Sequence, residues 1–250
     1  MLEDADVVSW CDGHGFETKL DSWRNQYSSA SPFPHLVIDD FLPNALAEEV
    51  VRTFPALSDR VWQTKGSFYT VPGGVARKYE LGHKPSFPDA IKETFDKYLF
   101  SNKFLHFVSE LTGIADLYFD AEFIGGPRSG GLNAVEKGGV LVRHVDFNFS
   151  SELNKYRAVN VLLYLNKDWS IFDGGNLDLW DQQLEGPPVT VTSTFNRCLI
   201  FATNSTTYHG YNKVLSDTIR KSINLYFYTI ECPLHVDKQP HKTEWNPEGS

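Results

Sequence analysis

A chain of 250 residues that is 41% hydrophobic and 14% aromatic can bury a core for one large domain or two small ones, which excludes disorder. Its net charge of −9 argues against nucleic acid or an anionic membrane as partner, and no apolar run approaches the roughly 20 residues that span a bilayer. Three scattered cysteines (Cys11, Cys198, Cys232) and an acidic start without signal-peptide character point to a reducing, cytoplasmic setting with no disulfide framework.

The first third reads as helical. Asn44 stands as N-cap before the apolar stripe Leu46, Val50, Val51 and Phe54, which Pro55 stops. Ile91, Phe95, Tyr98 and Leu99 repeat the pattern behind Pro88-Asp89. A third helix carries Phe104, Leu105, Val108 and Leu111 and ends at Gly113, a residue suited to a left-handed C-terminal position. Between the first two, residues 63–88 hold Tyr69, Pro72, Gly73, Gly74 and Pro85 and predict a hairpin or long loop. Lys65, Arg77 and Lys78 on it suit an anionic substrate in principle, but read as a solvated loop.

From residue 117 the pattern changes to short β-rich runs split by Gly, Pro and Asn: 117–124, 139–145, 158–165, 176–180, 189–194, 198–202 and 222–230. Many strands without intervening helices predict a closed or two-sheet β architecture, with a jelly roll the natural candidate. The expectation is a mainly β single domain, 1–250, with a helical N-terminal layer. Residues 1–116 form helical support and loop, 117–232 the catalytic β core, and 233–250 an irregular polar tail.

The chemistry lies in the β part. His144 and Asp146, two apart in a strand, leave the same face, as two ligands of one ion must. With His209 downstream they make two imidazoles and a carboxylate, the facial set that holds non-haem Fe(II) with positions left open. Arg220 and Ser222 share another strand face with Asn224. A guanidinium and a neighbouring hydroxyl there can grip a carboxylate. A metal site beside a carboxylate anchor suggests an iron enzyme using a dicarboxylic keto acid. Asn148 and Asn204 are candidates for hydrogen bonds to a polar substrate. His14, His35, His83, His106, His235 and His241 lack partners at ligand spacing and are assigned no site role. Gly174-Gly175 reads as a turn, Arg197 as structural, and Trp169 and Trp180 as packing residues.

Several blocks in order resemble the Fe(II)/2-oxoglutarate-dependent oxygenases, within them the prolyl-4-hydroxylase-like branch: RHVDFN at 143–148, RAVNVLLYLNKDW at 157–169, GGNLDLW at 174–180, FNRCLIF at 195–201, YHG at 208–210 and RKSINLYFYT at 220–229. The resemblance implies a double-stranded β-helix, a form of jelly roll. It implies Fe(II) on His144, Asp146 and His209, and Arg220 with Ser222 on the distal carboxylate of 2-oxoglutarate. Tyr164 matches a tyrosine reaching the same carboxylate. It also implies O2 as co-substrate, with hydroxylation of a C–H bond and release of succinate and carbon dioxide. Asp146 favours hydroxylation over halogenation, since related halogenases carry a small residue there. The stretch 132–142 lacks a tyrosine that prolyl hydroxylases tend to place near the keto-acid end. That departure and the acidic surface favour a small polar metabolite (amino acid, sugar or natural-product intermediate) over a prolyl residue in a peptide or protein. A non-catalytic jelly-roll binding module is the alternative from another class, and the intact triad with Arg220 speaks against it. A zinc hydrolase would need a glutamate base near the histidines, and none is evident.

Overall fold

In a computed structural model, residues 4–66, 75–82, 84–120, 130–183, 186–233 and 236–246 are described, 64–66 and 75–76 by backbone alone. The helices come first. Asp4 accepts from the Asp6 amide and caps α1 (Ala5–His14), and α2 (Leu20–Ser29) follows. The expected helix at Asn44 is α3 (Asn44–Thr53), but Pro43 holds the cap position and no side-chain cap bond forms. The Ile91 stripe runs as α4 (Asp89–Glu93), whose continuation over Thr94–Leu99 takes the wider π form. Helix α5 (Asn102–Thr112) ends as expected at Gly113, with φ 70°.

The β part is one curled sheet in the order β1-β9-β6-β11-β4-β10-β7-β8. Its members are β1 (His35–Ile38), β4 (Gly130–Val145), β6 (Lys155–Tyr164), β7 (Leu177–Trp180), β8 (Val189–Val191), β9 (Arg197–Ala202), β10 (Tyr208–Tyr211) and β11 (Arg220–Thr229). Off this path lie β2 (Thr64–Gly66) and β3 (Val75–Leu81), the hairpin expected within 63–88, though its Tyr69, Pro72, Gly73 and Gly74 lie outside the described residues. Two short strands, β5 (Phe149–Ser150) and β12 (Glu244–Trp245), complete the set. The curl makes the jelly roll that the sequence predicts.

β4 links the two halves of the curl. Its first part pairs β11, from Arg220 opposite Val135 to Leu225 opposite Gly130, and its last part pairs β10, with His209 opposite His144. Both faces of β6 are covered, which explains its continuous apolar run. Val161 and Leu163 join Phe227, Phe104 and Phe95 in the core between sheet and helices, while Leu162 and Tyr164 join Leu179, Leu199 and Phe201 inside the curl.

Three expectations need correction. β4 starts at Gly130, well before 139, because paired partners on both edges hold its glycine-rich first part extended. The run 117–124 is no strand as far as it is described: only an isolated bridge, Tyr118 to Tyr228, forms, and 121–124 lie outside the described residues. Within the tail, expected to be irregular throughout, β12 pairs with β4 at His144 and Val145.

Candidate metal centre and its cavity

The antiparallel register of β4 and β10 sets the imidazoles of His144 and His209 side by side, with ring centroids 4.4 Å apart. Asp146, just past the end of β4, completes the group. His144 Nε2 lies 3.7 Å from its Oδ1 and His209 Nε2 lies 3.4 Å from its Oδ2. One ligand atom from each of the three can sit within 4.8 Å of the others, close enough to share an ion. Each imidazole is pinned by its other nitrogen. His144 Nδ1 bonds the Val142 carbonyl and His209 Nδ1 the Thr207 carbonyl, both at 2.9 Å. A carbonyl only accepts, so the proton sits on Nδ1 and the Nε2 lone pair faces the carboxylate, the tautomer a metal needs.

The carboxylate is held too. Asn160 Nδ2 donates to Asp146 Oδ2 at 2.8 Å, and Arg157 Nη2 reaches the same oxygen at 2.9 Å. Arg157 also donates twice to Asn160 Oδ1, and its guanidinium stacks 3.6 Å from the Tyr226 ring centroid. Burial acts to raise the Asp146 carboxyl, but Arg157 first, then His209 and His144, outweigh it and hold the group well below the usual carboxylate range. Burial and the neighbouring His144 push His209 down to about 4, so it stays neutral at pH 7. Two imidazoles and one ionised carboxylate are the donor set that suits Fe(II). Arg157 and Asn160 were missed in the sequence reading. An arginine in a strand carries no signal of what it faces until the fold is known.

β11 points Arg220, Ser222, Asn224 and Tyr226 to the cavity side. Arg220 is 4% exposed and spends Nε on the Gly175 carbonyl, leaving its two Nη groups as donors. Gly175, read as a turn residue, makes this contact possible. At φ +60°, a Cβ there would stand 2.6 Å from Val214 Cγ2 and 3.0 Å from Arg220 Cδ. The rings of Tyr164 and Tyr211 lie 5.2 and 4.5 Å from Arg220 Cζ. Both hydroxyls are buried without a hydrogen-bond partner among the described residues, so two donors and a guanidinium converge where an anionic group is wanted. Ser222 Oγ donates to Asn224 Oδ1 at 3.0 Å. Tyr211 was not among the expected residues. It stands two along from His209, on the same face of β10.

Triad, Arg220, Ser222 and Tyr164 all line one cavity of about 860 Å³. The two asparagines expected at the substrate do not contact it in the way foreseen. Asn148 is 2% exposed and fully used: its amide nitrogen donates to the Asp237 and Gln239 carbonyls at 2.9 Å, and its oxygen accepts from the His241 amide at 2.8 Å. Asn204 stabilises the turn before β10, its Oδ1 accepting from the Thr206 amide and hydroxyl at 2.7 Å, and it is not in the cavity wall. The tail that Asn148 anchors is itself a wall. His241, Lys242, Thr243 and Trp245 line the cavity, and the Trp245 ring stacks on His144 with centroids 4.9 Å apart. Lys78 is likewise in the wall and not solvated, whereas exposed Arg77 donates to the Lys137 carbonyl. The side chain of Lys65 lies outside the described residues.

Residues 130–228 match the family model described as the 2OG-Fe(II) oxygenase superfamily. The matched segment contains His144, Asp146, His209, Arg220 and Ser222, the residues that would hold the Fe(II) and 2-oxoglutarate of that superfamily. No curated protein sequence matches the chain. Among solved structures, it is similar to a prolyl hydroxylase from Trichoplax adhaerens in complex with a hypoxia-inducible-factor peptide fragment (TM-score 0.63, 19% identity, covering 90% of this chain and 94% of that one). It is also similar to a prolyl-4-hydroxylase from Pseudomonas putida (TM-score 0.53, 17% identity, covering 84% and 99%). A third is the epimerase SnoN in complex with Fe3+, alpha-ketoglutarate and nogalamycin RO (TM-score 0.55, 14% identity, covering 92% and 96%). The fold is thus that of the prolyl-hydroxylase-like oxygenases. Among the described residues, no helix is long and apolar enough to cross a membrane.

Proposed function

We propose that this oxygenase hydroxylates an unactivated C–H bond of a small polar metabolite. His144, Asp146 and His209 hold the iron, and Arg220 and Tyr164 hold the distal carboxylate of 2-oxoglutarate, joined by Ser222 once its hydroxyl turns from Asn224 Oδ1. The donor set fits the metal, and the orphaned Tyr164 hydroxyl beside the Arg220 guanidinium fits a carboxylate. When bound, iron and 2-oxoglutarate supply oxygen activation and hydroxyl transfer, with succinate and carbon dioxide as co-products. The chain's own part is orientation. The carbonyls of Val142 and Thr207 fix both imidazoles, Arg157 keeps Asp146 ionised, and the apolar interior of the curl keeps water from the anchor.

The observation that carries the small-molecule reading is the tail. Lying along the metal-bearing strand through β12, it walls a chamber of about 860 Å³, within the range of small-ligand pockets of roughly 300–1,000 Å³. The second reading, a prolyl hydroxylase acting on a peptide, has the likeness to the peptide-bound Trichoplax structure in its favour. Succinate release in air decides between them when followed with free metabolites and with proline-containing peptides. Stimulation by free metabolites is expected. Stimulation by the peptides alone would transfer the conclusion to the second reading.

A further inference from the structure

The cavity has a polar wall that these roles leave unused. β4 is flanked by β11 on one edge and β3 on the other. The registers put Glu80 opposite Asn133, itself opposite Ser222, and Lys78 opposite Val135, itself opposite Arg220. Residues opposed across antiparallel strands share a face. Lys78, Glu80 and Asn133 therefore extend the row that begins with Arg220 and Ser222, and all five line the cavity. Lys78 Nζ and Glu80 Oε1 form an ion pair of 2.5 Å, each side chain 13% exposed. Asn133 is 5% exposed, and its Oδ1 has no hydrogen-bond partner among the described residues.

A buried acceptor without a partner is uncommon, and at a cavity wall it marks the place of a ligand's donor. The ion pair beside it restricts that ligand's charge. A carboxylate alone would meet the like charge of Glu80, and an amine alone that of Lys78. A ligand carrying both signs can replace the internal pair by two intermolecular ones while adding no net charge to a desolvated site. Asn133 Oδ1 then accepts a hydrogen bond from the ammonium next to Glu80. We propose that Lys78, Glu80 and Asn133 form the subsite that recognises the substrate's zwitterionic end, and that the substrate is a free α-amino acid. Glu80 also sets 2-oxoglutarate apart from substrate, because a dicarboxylate is repelled from this wall and not from Arg220.

The inference rests on the oxygenase reading above and is tested so that the two can fail separately. Anaerobic wild-type protein loaded with Fe(II) and 2-oxoglutarate is titrated with the twenty proteinogenic L-amino acids, each also as its methyl ester and N-acetyl derivative. The readout is perturbation of the visible metal-to-ligand charge-transfer band. At least one free amino acid is expected to perturb the band, with its ester and N-acetyl forms at least 10-fold weaker. Glu80→Gln should weaken that response at least 10-fold while the band itself persists. Should Glu80→Gln lose the band, Asn133→Ala carries the same expectation. Equal response to the capped forms, or none to any free amino acid, overturns the inference. Failure of the band to form in the wild type overturns the oxygenase reading first, and this inference with it.

Discussion

Arg220→Lys separates co-substrate binding from metal binding. Arginine offers a planar fork of donors, and here Nε is committed to the Gly175 carbonyl while two Nη groups remain for a ligand. Lysine keeps the charge but presents it as a point, so at most one of two parallel bonds to a carboxylate survives. A hydrogen bond to a charged group contributes about 1.5–3 kcal/mol, and each 1.4 kcal/mol is about a factor of ten. The dissociation constant of 2-oxoglutarate should therefore rise about 10- to 150-fold. The Gly175 carbonyl also loses its donor, which costs about 1–3 kcal/mol of stability where no water replaces it. Iron affinity should not change, since Arg220 contacts none of the three ligands in the hydrogen bonds it makes. The assay is an anaerobic titration of 2-oxoglutarate at saturating Fe(II), with metal affinity measured separately by chelator competition. A variant with an unaltered 2-oxoglutarate requirement would place the carboxylate anchor elsewhere. A parallel loss of iron affinity would show that the two functions are not separable as argued.

Three further outcomes follow from the same contacts. Arg157→Met should make the metal-free protein more acid-sensitive. The Asp146 carboxyl is held low in the folded state, so its contribution is present above the ordinary carboxylate range and lost as pH falls through the folded value. Without Arg157 that loss begins at higher pH, and identical acid-unfolding midpoints would refute the coupling. Gly175→Ala forces a Cβ to 2.6 Å from Val214 Cγ2 at a positive φ, so a stability loss of about 1–3 kcal/mol and weaker 2-oxoglutarate binding are expected together. Thermal melts and the band titration check it, and wild-type behaviour in both would contradict the packing argument. Trp245→Ala removes the ring stacked on His144, a contact of about 0.5–1.5 kcal/mol, and should speed iron loss to a chelator. An unchanged off-rate would mean the tail does not support the metal site.

The parts legible in the sequence were those that local pattern determines. The spacing of His144 and Asp146 on one strand face, the Arg220-x-Ser222 pair and the stop of α5 at Gly113 each follow from period and residue type, and the structure gathers the first two around one cavity. What escaped depends on register between distant strands. Tyr208–Tyr211 was not expected as a strand because its YHGY run is too short to show alternation, yet it carries His209 to within reach of His144. Arg157, Asn160 and Tyr211 gain their roles only when β6 and β10 are set beside β4 and β11. Asn148 was rightly seen as adjacent to the metal motif, but nothing local revealed that a tail some ninety residues on would occupy its amide. Helices α1 and α2 were not delimited either, since α1 buries only Val7, Trp10 and Cys11, a single turn of one face, and α2 only Tyr27.

The most direct measurement is the anaerobic titration of metal-free protein with Fe(II) and 2-oxoglutarate, in wild type and in Asp146→Ala. The wild type should develop the visible charge-transfer band of iron-chelated 2-oxoglutarate, and Asp146→Ala should not. Iron bound by the wild type without that band, or the band surviving undiminished in Asp146→Ala, would contradict the assignment of His144, Asp146 and His209 as the iron site.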